Sequence, residues 1–168
     1  FDAIGLRSLA NVVTGTYSNA RVWVADYRYS NNIARSSEWC GFTVCMLQCE
    51  RLKVPHFRLH SRSRPRWSMT QTPILSRPGD DPEVPLNGDA EFARTFMLEA
   101  GSADDLRPFL GPGFRERIAA IWKSYIEIEG LGDRFVVTRR SWIEPADARQ
   151  LLDQAIGILG ELSRAEWT

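Results

Sequence analysis

Apolar and polar residues alternate near the start of the chain in a pattern that predicts a β-hairpin. Residues 12–17 and 22–29 are rich in β-branched and aromatic side chains, and the polar pair Ser18-Asn19 separates them. Alternation gives the second strand one aromatic face, and we expect that face to be the side that packs against the core. The residues on the aromatic face are Trp23, Ala25, Tyr27 and Tyr29.

Two further strands and an irregular segment follow the hairpin. Between Trp39 and Gln48, the run from Phe42 to Leu47 is apolar on both faces, which is typical of a central strand covered on both sides. Phe57 and Leu59 predict one more short strand. Residues 61–88 then contain five of the nine prolines and show no periodicity, so we expect a long irregular excursion there.

The second half of the chain contains two helical patterns. The first predicted helix covers residues 112–123 and begins with proline, a residue that suits the first helical position. The second covers residues 145–163, where leucine and alanine recur at helical spacing. Both helices present one apolar stripe, so we expect them to cover a sheet.

A second hairpin is predicted between these helices. Residues 125–139 alternate apolar and polar side chains around the turn 130–133, and pairing Glu129 with Arg134 places apolar residues on one face. Together the patterns predict one α+β domain over residues 1–168. Its antiparallel sheet is built from two hairpin regions and is covered by two main helices of the C-terminal half.

Charge is balanced over the whole chain but segregated along it. The formal net charge is zero, with 21 basic and 21 acidic residues, which argues against a surface that attracts nucleic acid or anionic lipid everywhere. Residues 51–77 carry seven basic and no acidic side chains, whereas residues 80–105 are strongly acidic. We expect the basic stretch to fold back on the acidic one.

If the basic stretch is instead exposed, it predicts a surface for anionic lipid or nucleic acid, because arginine binds phosphate through two parallel hydrogen bonds. Nucleic acid is the less favoured ligand, since no stacking motif or recognition helix accompanies the charge. The residues predicted to contact a partner or an anionic surface are Arg58, Arg62, Arg64, Arg66 and Trp67.

The sequence contains one pattern with the residue types of a zinc site, Cys45-x3-Cys49 followed by His56-x3-His60. On extended strands, residues four apart are separated by about 13 Å at ~3.3 Å per residue, which is too far to share one ion. We therefore expect no metal and no cofactor. The odd number of cysteines, three, favours a reducing compartment over a disulfide framework.

Catalytic signatures are absent from the sequence. Neither Gly-x-Ser-x-Gly nor His-Glu-x-x-His occurs, so we predict no catalytic residue and a protein that is not an enzyme. One alternative stays open, because a nucleophile and its base meet in space rather than in sequence. That alternative is a hydrolase that uses Cys45 and a histidine.

Several segments also carry a family resemblance. They are Asn11-Val12-Val13-x-Gly15 with residues 22–29, Asp89-x-Glu91-Phe92-x-Arg94-x-Phe96-x-Leu98, Leu106-x-x-Phe109-Leu110-x-Pro112, Ile128-Glu129-Gly130, Val136-Val137 and the Glu144-Pro145 helix. The pattern resembles an uncharacterised bacterial family of small membrane-anchored proteins with a soluble α+β domain of unknown function. The resemblance implies no catalytic residues, and it implies a hydrophobic anchor that this chain, which begins at Phe1, does not contain.

The combined prediction is a non-enzymatic interaction domain, associated with a membrane or forming a subunit of a larger assembly. Its partner would be another protein or a membrane surface, and its place the cytoplasmic face of a bacterial membrane. No run of the sequence approaches the ~20 apolar residues of a membrane-spanning helix, so we expect the chain itself to be soluble. Exposed tryptophans would be natural anchors for a partner, and the candidates are Trp39, Trp67 and Trp142.

Overall fold

A computed structural model describes residues 7–30, 39–63, 75, 81–86, 89–121, 126–139 and 142–164. Seven strands form one antiparallel sheet in the order β1-β2-β3-β7-β6-β4-β5. The strands are β1 (Arg7–Tyr17), β2 (Ala20–Ser30), β3 (Trp39–Gln48), β4 (Val54–Ser61), β5 (Phe96–Ala100), β6 (Ile126–Gly132) and β7 (Arg134–Arg139). The helices are α1 (Ala90–Thr95), α2 (Ala103–Leu106), α3 (Pro112–Ile121) and α4 (Pro145–Arg164), with a 3-10 turn over Arg107–Phe109.

The predicted fold class is wrong. The strands do not form two hairpin regions under two main helices, but a single strand-rich sheet of seven strands. The reason is that β4 pairs with β6 on one side and with β5 on the other, so segments between the two hairpins extend the same sheet. Helices form at both predicted positions, yet α3 has only 10 residues, and the 20-residue α4 is the long helix of the described chain.

The first hairpin has its turn at the predicted place. Tyr17 pairs with Ala20, and the two residues between them have left-handed backbone angles, with φ 48° at Ser18 and 64° at Asn19. Two such residues make a type I′ turn, whose twist matches that of the strands. The predicted turn is therefore confirmed.

β1 carries a β-bulge near its middle. Its register against β2 shifts between Ala10 and Val13, and Asn11 has φ 51°. Asn11 and Val12 together lie opposite a single residue of β2, as in a β-bulge. From Val13 onward the pairing is regular.

The second hairpin forms in a different register from the predicted one. Glu129 pairs with Val136, and Arg134 pairs with Leu131. The turn is tighter than expected because Gly132 adopts φ 61° and closes it. A shift of two residues leaves every side chain on its predicted face of the sheet, and the apolar face lies in the main core. The other face is buried as well at Glu129, Val136 and Thr138.

The helices cover one face of the sheet, which we call the helix-side face. Val22, Cys45 and Val137 on this face belong to the main core, which α4 completes with Leu151 and Leu159. The main core therefore lies on the face of β2 opposite to the aromatic one, and the aromatic face contributes Tyr27 only to a smaller core cluster. The helices pack on the side of β2 that carries Val22, and Trp23 and Tyr27 lie on the other side. Size alone does not decide this, because Phe57 and Phe135 also lie on the helix-side face.

On the opposite face, a smaller apolar cluster surrounds Phe42, Val44 and Val136. Tyr27 of β2 stacks on Phe42 with ring centroids 4.8 Å apart, and Leu75 from the predicted excursion also packs here. Most of that excursion lies outside the described residues, so its irregular structure and the single-domain boundary at 1–168 stay predictions.

Candidate functional site

Alternate residues of β4 point to the opposite face of the sheet beside carboxylates of the neighbouring strands. These side chains, with Asp81 from the segment before β5, make a group that we call the charged cluster. Its members are His56, Arg58, His60, Asp81, Glu99, Glu127 and Glu129.

Arg58 lies at the centre of the charged cluster and is only 8% exposed. Its Nε donates to Glu127 Oε1 at 2.6 Å, and its Nη2 lies 2.5 Å from the same oxygen. Its Nη1 lies 3.5 Å from Glu99 Oε2. The guanidinium is thus held between β6 and β5 rather than presented to a partner.

His56 bridges two further carboxylates. Its Nδ1 lies 2.6 Å from Asp81 Oδ2, and its Nε2 lies 3.4 Å from Glu129 Oε1. Glu129 is 3% exposed, and its Oε2 accepts the backbone N–H of Leu75 at 3.0 Å. This buried carboxylate is therefore satisfied by a side chain on one oxygen and by main chain on the other.

The basic stretch does fold back on the acidic one. Besides the His56–Asp81 and Arg58–Glu99 pairs, His60 Nε2 lies 3.3 Å from Glu99 Oε1 and Arg62 forms an ion pair with Glu83. The expectation is confirmed for the described residues. Two of the five predicted contact residues, Arg58 and Arg62, have acidic partners, and the other three, Arg64, Arg66 and Trp67, lie outside the described residues. Binding through this stretch stays a prediction.

The geometry of Cys45 bears on the hydrolase alternative. Its thiol is fully buried on the helix-side face, and burial raises its pKa to about 12. His56 and His60 point to the opposite face, where they contact carboxylates. A Cys45–histidine pair therefore does not form, and the alternative loses the two groups on which it depended.

The other described features offer little chemistry. No three His, Cys, Asp or Glu side chains of the described ranges gather where they could hold a metal ion. A groove of about 530 Å³ lies between α3 and α4, with Arg117, Arg149 and Asp153 at its rim. A second groove, of about 760 Å³, lies beside Lys53 and Asp104. Neither groove contains a cysteine or a histidine beside a hydroxyl nucleophile.

Sequence reasoning missed the surface at β1, which is one of the two edge strands of the sheet. Leu9, Val12 and Val13 are 61%, 51% and 66% exposed, and in the described part of the chain no strand pairs with the outer edge of β1. The available signal was the absence of charge, since Ser8–Tyr17 contains ten consecutive uncharged residues. Among the predicted tryptophan anchors, Trp142 is exposed, while the side chains of the other two lie outside the described set.

Comparison with known proteins identifies a shared fold. No family profile and no curated protein matches the sequence. The structure is similar to the crystal structure of the mycobacterial trehalose monomycolate transport factor A, TtfA, with a TM-score of 0.59. The two chains are 11% identical, and the match covers 96% of this chain and 74% of TtfA. Within the described residues, no helix is long and apolar enough to cross a membrane.

Proposed function

We propose that this protein is a non-enzymatic accessory domain that acts by binding a protein partner, and that β1 is the binding surface. One observation carries the proposal. Of the five large hydrophobic side chains exposed in the described structure, three lie on this single edge strand. The other two, Leu131 and Trp142, belong to other parts of the fold.

An exposed edge strand is a binding surface because its outward N–H and C=O groups have no partner within the sheet. A further strand added there forms main-chain hydrogen bonds along its length, and apolar side chains beside the edge add buried area. β1 offers both features, with Leu9 on one face of the sheet and Val13 on the other.

The other chemical groups support binding rather than catalysis. The charged cluster uses its ion pairs within the fold, and Cys45 is a buried core residue. Similarity in fold to TtfA, a transport factor, also supports an accessory role. We further propose that the domain acts at the cytoplasmic face of a bacterial membrane, either membrane-associated or as a subunit of a larger assembly.

A contact with the membrane surface would use the exposed part of the basic stretch. Among the residues that the structure describes, Arg62 is the candidate for this contact, and Arg64, Arg66 and Trp67 follow it in the sequence. Arg58 would contribute only indirectly, because its ion pair with Glu127 holds β4 against β6. Binding to anionic vesicles that falls as salt is raised and weakens in Arg62→Ala would support this contact. Binding that is absent, or unaffected by salt, would refute it.

The binding surface can be tested in the native cell with the full-length protein. A photo-crosslinking amino acid is placed at Val13, and in a matched control at Leu131, which is 38% exposed and apolar but lies at the end of β6. We expect a discrete crosslinked product from position 13 and none from position 131. No product from positions 9, 12 or 13 would refute β1 as the binding surface.

A further inference from the structure

The two edges of the sheet are built differently. A segment around Glu83 runs along the outer edge of β5 and forms a β-bridge between Glu83 and Glu99. In this segment the N–H of Val84 donates to the carbonyl oxygen of Leu98, and the carbonyl oxygen of Pro82 accepts the N–H of Ala100. Proline and charged residues in this covering segment block further strand pairing. The β5 edge is therefore protected, whereas β1 has neither a covering segment among the described residues nor a charge or proline between Ser8 and Tyr17.

One part of β1 is geometrically suited to pairing. The bulge at Asn11-Val12 interrupts the strand, but Val13–Tyr17 pairs with β2 at five successive positions without a shift. Five residues is an ordinary strand length in folded proteins. The regular segment Val13–Tyr17 is therefore the part of the edge that can accept another strand.

We propose that the occupant of this edge is β1 of a second copy of the chain, paired antiparallel across a two-fold axis. The proposal rests on the proposed function and names its partner. Identical strands can always pair antiparallel about a two-fold axis, and two uncharged segments meet without like charges opposite each other. Because the β5 edge is capped, β1 cannot pair with the β5 edge of another copy and build an open filament, so the assembly closes as a dimer.

A register centred on Gly15 uses all five residues of both segments. Thr14 then lies opposite Thr16 of the second copy, and Val13 lies opposite Tyr17 of the second copy. Cross-strand pairs of β-branched and aromatic residues are among the favourable ones. At the two-fold axis, Gly15 of one copy would lie opposite Gly15 of the other. In a single copy of the chain, a Cβ added at Gly15 meets no atom within 4 Å.

The central glycine provides a sharp test. Gly15→Glu places two carboxylates opposite each other at the proposed axis, and Gly15→Thr fills the same position without charge. Gly111→Glu is the matched control, because a Cβ at Gly111 also meets nothing within 4 Å and this residue lies before α3, away from β1. Sedimentation equilibrium from about 1 µM to about 1 mM covers the range in which weak dimers dissociate.

We expect the wild type, Gly15→Thr and Gly111→Glu to form dimers of similar stability. The dimer of Gly15→Glu should dissociate with a Kd at least about tenfold higher, and high salt should lower that Kd again because it screens the two carboxylates. Circular dichroism checks that each variant folds, and Val13→Lys replaces Gly15→Glu if that variant does not. A wild type that stays monomeric, or an unweakened Gly15→Glu dimer, would overturn the proposal. If the protein is monomeric but position 13 crosslinks to a different protein, the proposed function stands and only the second copy is wrong.

Discussion

Replacing Arg58 with methionine removes the positive charge from the centre of the charged cluster. Methionine keeps the length and apolar part of the side chain but none of its hydrogen-bond donors. The substitution breaks both contacts to Glu127 Oε1, at 2.6 Å and 2.5 Å, and the longer contact to Glu99. Two carboxylates then lose a guanidinium partner at a site where Arg58 itself is 8% exposed.

The expected loss of folding free energy is about 3 kcal/mol. Removing one member of a buried ion pair costs ~3–5 kcal/mol, because the remaining charge is left without compensation in a poorly solvated place. We take the lower end of that range because Glu127 and Glu99 retain 14% and 29% side-chain exposure, so water screens part of the penalty. The double variant Arg58→Met with Glu127→Gln should recover part of the loss, since it also removes one of the two carboxylate charges that faced the guanidinium.

Urea denaturation followed by circular dichroism measures this loss. The matched control is Arg107→Met, because Arg107 pairs with Asp104 where both side chains are about 80% exposed, at 79% and 83%. A surface pair of this kind contributes less than about 1 kcal/mol. If Arg58→Met and Arg107→Met destabilise the protein equally, the charged cluster is not the buried, mutually compensated network described above.

Three further results follow from the packing. Cys45 should resist alkylation in the native protein at pH 8 while the half-buried Cys49 reacts, as peptide mapping would show; fast labelling of Cys45 would contradict its burial. Burial raises the pKa of Cys45 from 9.0 to about 12, so the neutral thiol stabilises the folded state fully below pH 9. The free energy of unfolding should therefore fall as the pH rises from 9 to 12. A free energy of unfolding that does not fall over this range would contradict the raised pKa. Gly130→Ala should destabilise the fold by about 2 kcal/mol, since the new methyl would lie 2.4 Å from Phe57 Cε1, whereas Gly111→Ala has open space and should cost far less. Equal thermal stabilities of the two alanine variants would show that the contact between β6 and β4 is looser than described.

Local patterns were sufficient where the structure depends on local chemistry. The polar pair Ser18-Asn19 predicts a turn because these residues tolerate left-handed backbone angles, and both adopt them. The register of the second hairpin was wrong because Glu129 and Arg134 look like a cross-strand pair. In the fold, Glu129 instead meets His56 and the main chain of Leu75, which are distant in sequence.

Long-range pairing accounts for the remaining differences. β4 lies between β6 and β5, and no local pattern indicates that this short strand joins the two halves of the chain into one sheet. The sequence predicts that the aromatic side of β2 faces the core, because large apolar side chains favour burial. Side-chain size does not decide the side, because α4 packs against β3 and β7 on the other face of the sheet, and that core contains Val22 as well as Phe135.

The binding role of β1 can be tested most directly by amide hydrogen exchange of residues 7–17. The exchange is measured for the dilute monomer and for the assembled protein. We expect the β1 amides directed away from β2 to exchange rapidly in the monomer and to become protected on assembly, while amides of the capped β5 edge do not change. Equal exchange of the β1 amides in both states would contradict the claim that this edge is where the protein binds.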